Sequence, residues 1–156
     1  IIPYEINGRN IILENKSTDV EQDPYILNGK KLLLVEDNKL NQMVAEKFLT
    51  SMGISVMIAG NGLEAVHTLE SNDFDAILMD IQMPEMDGYE ATRFIRQNLV
   101  PSKQKVPILA MTAHALMGEE KKCFEAGMND YISKPLKKET LERILTKLFY
   151  KNEARS

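Results

Sequence analysis

From Lys30 onward the sequence predicts an α/β domain, a parallel sheet covered by helices. Three observations predict it. Short continuous apolar runs recur at strand length, as expected for strands buried on both faces. Amphipathic stretches alternate with them, giving the βαβα order of a parallel sheet. Polar residues able to do chemistry stand at the ends of the runs: Glu36 and Asp37 after Leu32-Leu33-Leu34-Val35, Asp80 after Ala76-Ile77-Leu78-Met79, Thr112 after Ile108-Leu109-Ala110-Met111, and Lys134-Pro135 after Tyr131-Ile132-Ser133.

Taken in order, the strands are expected over 31–36, 54–59, 75–80, 106–111 and 130–133. Helices are expected over 39–52, 62–71, 88–98, 114–127 and 137–149, the last with the clearest period, in which Leu141, Ile144, Leu145, Leu148 and Phe149 fall at helical spacing and read as core. Right-handed crossovers bring every strand's carboxyl end to one edge of the sheet, where open α/β sheets bind ligands, so the acids, Thr112 and Lys134 are expected to meet there. Residues 1–29 differ in kind. Glu14 to Gln22 is polar and charged without an apolar period and reads as linker, while Ile1 to Ile6 fits either the last strand of a preceding domain or a loosely packed tail. The division is therefore 1–29 linker or remnant of a preceding domain, 30–150 domain, and 151–156 tail.

At 156 residues, 44% hydrophobic and 27% charged, the chain has the composition of one globular domain with length to spare, and no apolar stretch approaches the roughly 18 residues of a membrane span. A net charge of -4 argues against non-specific nucleic-acid binding, which needs a basic surface. Cys123 stands alone, so no internal disulfide forms, which suits a reducing compartment; its plain reading is a small apolar residue in a helix. The chain starts at Ile1 with no methionine and no signal segment, and reads as a fragment of a longer protein.

Carboxylates converging without neutralisation repel one another, so a cluster of this kind normally holds a cation. Mg²⁺ is the best candidate, a hard ion that takes carboxylate, water and phosphate oxygens. Zinc is disfavoured, because His67, His114 and Cys123 do not form a ligand set. Beside Mg²⁺, one carboxylate can attack phosphorus to form an acyl phosphate. Lys134 supplies a fixed cation and Thr112 a hydroxyl donor for the phosphoryl oxygens, in a reaction that asks for positioning and electrostatics.

Four segments in this order resemble the signatures of the receiver domain of two-component response regulators: Leu34-Val35-Glu36-Asp37-Asn38, Leu78 to Glu90, Ala110-Met111-Thr112-Ala113 and Tyr131-Ile132-Ser133-Lys134-Pro135. The resemblance spans about residues 31–150. It implies a doubly wound, flavodoxin-like five-stranded sheet of order 2-1-3-4-5, and a cis Lys134-Pro135 bond. It implies that Asp80 is the aspartate phosphorylated from phosphohistidine. Asp37 is implied as a direct Mg²⁺ ligand, Glu36 as a partner through a metal-bound water, and the Gln82 backbone carbonyl completes the protein ligands. Lys134 is implied to bridge to the phosphoryl group, with Thr112 and Tyr131 as the switch pair. Glu36 departs from the family's second aspartate while keeping the charge.

Glu36-Asp37-Asn38 with Asn41-Gln42, Met83-Pro84-Glu85-Met86-Asp87-Gly88 and Met111-Thr112-Ala113-His114-Ala115 are similar to receivers of hybrid sensor histidine kinases. That subtype implies a kinase domain as phosphodonor and a histidine phosphotransfer protein as acceptor, docking at the first helix and the loops around the site. It also implies a cytoplasmic location without membrane contact by this fragment, whose parent could be membrane-anchored, and a domain that catalyses its own phosphorylation and dephosphorylation. The phosphoryl group is expected to bias a surface around the fourth expected helix and fifth strand.

Plainer readings stand beside these: Lys134 as a surface lysine, Thr112 as a helix cap, Tyr131 as an ordinary strand aromatic. His114 and His67 are read as surface residues, Asp87 and Gly88 as loop turn and helix start with Gly88 chosen for backbone freedom, and Asn38 and Asn41 as caps or partner contacts. The competing functions are a receiver-like docking module that is never phosphorylated, an aspartyl-phosphate hydrolase, for which about 120 residues leave no room for a cap domain, and a flavin binder, which lacks a phosphate-cradling loop after the first strand.

Overall fold

The computed structural model describes residues 26–113 and 118–154. Five strands, β1 (Lys31–Val35), β2 (Ser55–Ala59), β3 (Ala76–Asp80), β4 (Ile108–Thr112) and β5 (Asp130–Ser133), form one parallel sheet in the order β2-β1-β3-β4-β5. Among the described residues six helices connect or follow them: α1 (Lys39–Ser51), α2 (Gly62–Ser71), α3 (Gly88–Asn98), the short α4 (Pro101–Gln104), α5 (Glu119–Ala126) and α6 (Lys138–Ala154). The fold is the doubly wound sheet that the resemblance implied, with helices on both faces.

Alternation along the strands builds two cores. In β1, Leu32 and Leu34 face one side and Leu33 and Val35 the other, all fully buried. The Leu32 side packs on Ala45 and Leu49 of α1 and on Leu141, Leu145, Leu148 and Phe149 of α6. The Leu33 side packs on Ala65 and Leu69 of α2, Ala91 and Ile95 of α3, and Cys123 of α5. Cys123 is free and buried among these residues, as its plain reading held.

Three helix starts are written in the sequence. Asn38 caps α1 by accepting from the Asn41 N–H at 3.0 Å, and Asn61 caps α2 from Glu64 at 2.8 Å. Asp87 and Glu90 form a reciprocal capping box at α3. These caps fix where the chain turns from each strand end into its helix, and so fix the loops that carry the acids.

The structure differs from the sequence expectations in four places. Ile26 and Leu27 are 7% and 4% exposed and lie in the α1/α6 core, so the packed unit begins before residue 30. A polar neighbourhood hid two apolar residues too few to show a period. Helix α4 was not expected; with Pro101 at its first position it is a single turn, too short for periodicity to reveal. Helix α6 continues to Ala154, because nothing after Phe149 breaks it, so the expected tail starts as helix. Strand β4 runs 108–112 instead of 106–111, and Pro107, which has no N–H to give a ladder, accepts from Ile77 through its carbonyl. The expected first turn of the fourth helix, with His114, lies outside the described residues, as do Ile1 to Ile6 and the linker Glu14 to Gln22. No described helix is long and apolar enough to cross a membrane.

Candidate functional site

The register of the sheet delivers the expected residues to one edge. β1 and β3 are neighbours with Val35 opposite Met79, so Glu36, Asp37 and Asp80 leave adjacent strands side by side. β4 lies next, with Asp80 opposite Met111, and β5 beyond it, with Thr112 opposite Ser133. One oxygen from each of Glu36, Asp37 and Asp80 lies within 4.8 Å of the others, with Glu36 and Asp80 buried and Asp37 exposed.

Lys134 reaches into this group from the β5–α6 loop. Its Nζ is 2.9 Å from Asp80 Oδ2, which it hydrogen-bonds, and 3.1 Å from Glu36 Oε1. The Lys134–Pro135 bond is cis, as the resemblance implied. Burial alone would pull the lysine pKa down, but the bonds and charges of Asp80 and then Glu36 outweigh it, and the net direction is up. The ammonium is therefore fixed and charged, facing the Asp80 and Glu36 carboxylates.

The remaining oxygens have different fates. Asp80 Oδ1 accepts the Gln82 N–H at 3.1 Å. Glu36 Oε2 accepts the Asn38 N–H at 3.0 Å and the Asn41 amide at 3.5 Å. Glu36 Oε1 is buried and meets the Lys134 ammonium at 3.1 Å, with no other partner among the described residues. Three carboxylates against one ammonium leave two formal negative charges, and partly buried negative charge left uncompensated is costly unless a ligand meets it. The donor set, all hard oxygen, fits a small divalent cation supplemented by water.

Two residues place the acids. Gln42, buried in α1, donates its side-chain amide to the Glu36 carbonyl at 2.6 Å and fixes the turn that aims Glu36 and Asp37. Gly88 sits so close to the Asp80 segment that an added Cβ would fall 2.5 Å from the Asp80 carbonyl oxygen and 2.8 Å from Ile81 Cα, while its N–H donates to Ile81 at 2.8 Å. Its smallness, and not the turn freedom expected of it, is what α3 needs in order to start against the end of β3. Asn38 caps, as read, whereas Asn41 supplies the capped N–H; both donate to Glu36 Oε2. In the loop between, Glu85 takes φ 71°, a left-handed conformation disfavoured for a residue with a side chain.

Thr112, buried at the end of β4, donates its hydroxyl to Glu119 Oε1 at the start of α5, at 3.3 Å. Tyr131 is half-buried and packs on the α2/α3/α5 core. His67 is exposed, 3.7 Å from Glu70. Sequence reasoning missed Glu119 and the roles of Gln42 and Gly88. Asn41-Gln42 were noted only as similarity, and no local signal links Glu119 to Thr112.

The family model described as "response regulator receiver domain" matches residues 32–146. The chain belongs to that family. This receiver is 37% identical over 147 residues to probable histidine kinase 1 of Oryza sativa subsp. indica, covering 76% of this chain and 15% of that protein. It is 45% identical over 117 residues to hybrid signal transduction histidine kinase B of Dictyostelium discoideum, covering 69% of this chain and 6% of that protein. The receiver thus spans less than a sixth of these relatives' length. Among solved structures, it resembles the receiver domain of sensor histidine kinase PA1611 from Pseudomonas aeruginosa PAO1, which has a magnesium ion coordinated in its active site cleft. That match has TM-score 0.71 and 47% identity and covers 78% of this chain and 98% of that one. Vibrio cholerae chemotaxis protein CheY4 matches with TM-score 0.69 and 30% identity, covering 76% and 98%. The chain is therefore a receiver domain of two-component signalling, with hybrid histidine kinases among its relatives.

Proposed function

We propose that this receiver takes a phosphoryl group from a phosphohistidine onto Asp80, changes conformation, and passes the group to a histidine phosphotransfer protein. The observation that carries the reading is Lys134 Nζ held 2.9 Å from Asp80 Oδ2 and 3.1 Å from Glu36 Oε1, within a group of three carboxylates. The side chains of Glu36, Asp37 and Asp80, with the backbone carbonyl of Gln82, would hold Mg²⁺. The ion's presence in the PA1611 receiver supports this. Bound there, Mg²⁺ supplies positive charge to the phosphoryl oxygens.

An Asp80 carboxylate oxygen attacks phosphorus, and a new O–P bond forms as the donor's N–P bond breaks. The electron pair of that bond stays on the imidazole, which leaves neutral because its other nitrogen carries the proton. Lys134 follows a transferring oxygen and offsets its charge, Thr112 offers its hydroxyl to another, and Tyr131 turns inward behind Thr112. Running the same exchange backwards, onto a second histidine, gives the relay step.

Docking fits the first helix. Leu40 and Met43 of α1 are 67% and 65% exposed, and Leu40, Val44, Pro135 and Leu136 line a hollow that reaches Glu36 and Lys134. An apolar helical partner seated there would place its histidine over Asp80. We further propose that the chain is the receiver of a hybrid histidine kinase, working on the cytoplasmic side.

The test is the intact mass after incubation with Mg²⁺ and acetyl phosphate, for the wild type and Asp80→Asn. A gain of one phosphoryl group that needs Mg²⁺ and is lost in the variant is expected. No gain, with acetyl phosphate or with a phosphohistidine donor, would leave a docking module that is never phosphorylated.

A further inference from the structure

We propose that Glu119 is a positioning residue that holds the Thr112 hydroxyl away from Asp80, and that Tyr89 takes over Glu119 when Thr112 turns to the phosphoryl group. The inference rests on the phosphoacceptor reading and adds to it a hand-off of one acceptor between two hydroxyls.

A threonine hydroxyl has one proton to donate. Thr112 gives it to Glu119 Oε1 at 3.3 Å, so it cannot at the same time give it to an oxygen on Asp80. Both claimants are acceptors, and Glu119 keeps the hydroxyl's hydrogen bond while Asp80 carries no phosphoryl group. When Thr112 turns, Glu119 is left half-buried without that donor, and that loss opposes the active conformation.

Tyr89 supplies the replacement. It follows Gly88 at the start of α3, its hydroxyl oxygen is buried with no acceptor at hydrogen-bond distance among the described residues although Glu119 and Cys123 stand near it, and it lines the same hollow as Glu119, together with Gln82 and Lys122. Burial first, then the neighbouring Cys123 and Glu119, push the phenol pKa far up, so it remains a donor. A buried donor with no acceptor at bonding distance, beside a carboxylate whose hydroxyl donor sits at 3.3 Å, is a mismatch resolved when Thr112 departs. The exchange breaks one O–H···O bond and forms two, to phosphoryl and to Glu119, with no proton leaving its own oxygen. It also joins α3, whose start packs on the Asp80 backbone, to α5, so that the state of Asp80 is felt at the α5 surface.

The experiment is the rate of Mg²⁺-dependent mass gain from acetyl phosphate in a two-by-two set: wild type, Glu119→Ala, Tyr89→Phe and the double variant, with Glu119→Gln as a fifth protein and a melt to show each is folded. Glu119→Ala removes the restraint and is expected to speed phosphorylation about five-fold, the size of one ordinary hydrogen bond, as suits a contact at 3.3 Å. Tyr89→Phe removes the second donor and is expected to slow it about three-fold, yet to have no effect in the Glu119→Ala background. Glu119→Gln keeps an oxygen acceptor without the charge and falls between wild type and Glu119→Ala. A role limited to charge at the α5 N-terminus would instead make the Gln and Ala variants equal. Additive effects of the two single substitutions, or an unchanged rate in Glu119→Ala, would overturn the hand-off while leaving the phosphoacceptor reading intact. A wild-type chain that never gains mass would overturn both.

Discussion

Replacing Lys134 with methionine keeps the length of the side chain and removes the ammonium between Asp80 and Glu36. Breaking a buried pair by removing one partner costs about 3–5 kcal/mol. The Lys134 side chain is 23% exposed and Asp37 is exposed, so water relieves part of this. Two carboxylates within 4.8 Å of each other repel by about 3 kcal/mol at an effective dielectric constant of about 20, a repulsion the lysine offsets in the wild type. The expected loss in metal-free buffer is about 2–3 kcal/mol, or roughly 6–10 °C in Tm for a domain of this size. Excess Mg²⁺ enters the unneutralised cluster and stabilises the folded variant, narrowing the gap to about 1 kcal/mol. Thermal and urea melts followed by circular dichroism, in chelator and in Mg²⁺, measure both values. A variant as stable as wild type in chelator, or a gap that Mg²⁺ leaves unchanged, would refute the reasoning. The pH arm has a fixed sign. Burial lowers the Lys134 pKa, Asp80 and Glu36 raise it by more, and the folded value stands above the ordinary 10.5. The stabilisation is whole below 10.5 and fades as pH rises through the folded value, so wild type carries an alkaline limb that Lys134→Met lacks.

Gly88→Ala forces a Cβ to within 2.5 Å of the Asp80 carbonyl oxygen, and the neighbouring backbone must give way; a loss of about 2 kcal/mol in urea, with slower phosphorylation because Asp80 moves, is expected. A variant that matches wild type in both would show that α3 can start elsewhere. Arg96→Met removes hydrogen bonds to the carbonyls of Gly127 (2.9 Å), Gln104 (2.6 Å) and Val106 (2.7 Å) and to Asn129 Oδ1 (2.9 Å), which tie α3 to the amino ends of β4 and β5. Urea unfolding is expected to show a loss of about 3 kcal/mol with the phosphorylation rate unchanged, since the acids lie at the opposite end of the sheet; a loss under about 1 kcal/mol would show that this clamp is dispensable.

The chemistry of the site was legible because it is written locally. A carboxylate directly after an apolar run must stand at the end of a buried strand, and crossovers of one hand carry all such ends to the same edge. Glu36, Asp37, Asp80, Thr112 and Lys134 could therefore be gathered from runs of three or four residues each, and the resemblance carried by those segments implied the strand order 2-1-3-4-5. The caps Asn38, Asn61 and Asp87 are equally local, since each answers a backbone N–H three residues away.

Tertiary structure alone decided what depends on distance between segments far apart in the chain. Lys134 and Asp80 are 54 residues apart, and whether the ammonium meets one carboxylate or two depends on sheet register and the turn into α6. The reason for Gly88 is a backbone approach invisible in any spacing, and Glu119 acquires a role only because α5 starts beside the end of β4. Ile26 and Leu27 enter the core for the same reason: two apolar residues carry no period, and only packing against α1 and α6 gives them a face. Strand type and cap position follow from neighbours in sequence, whereas pairing, close approach and hydroxyl partners follow from neighbours in space.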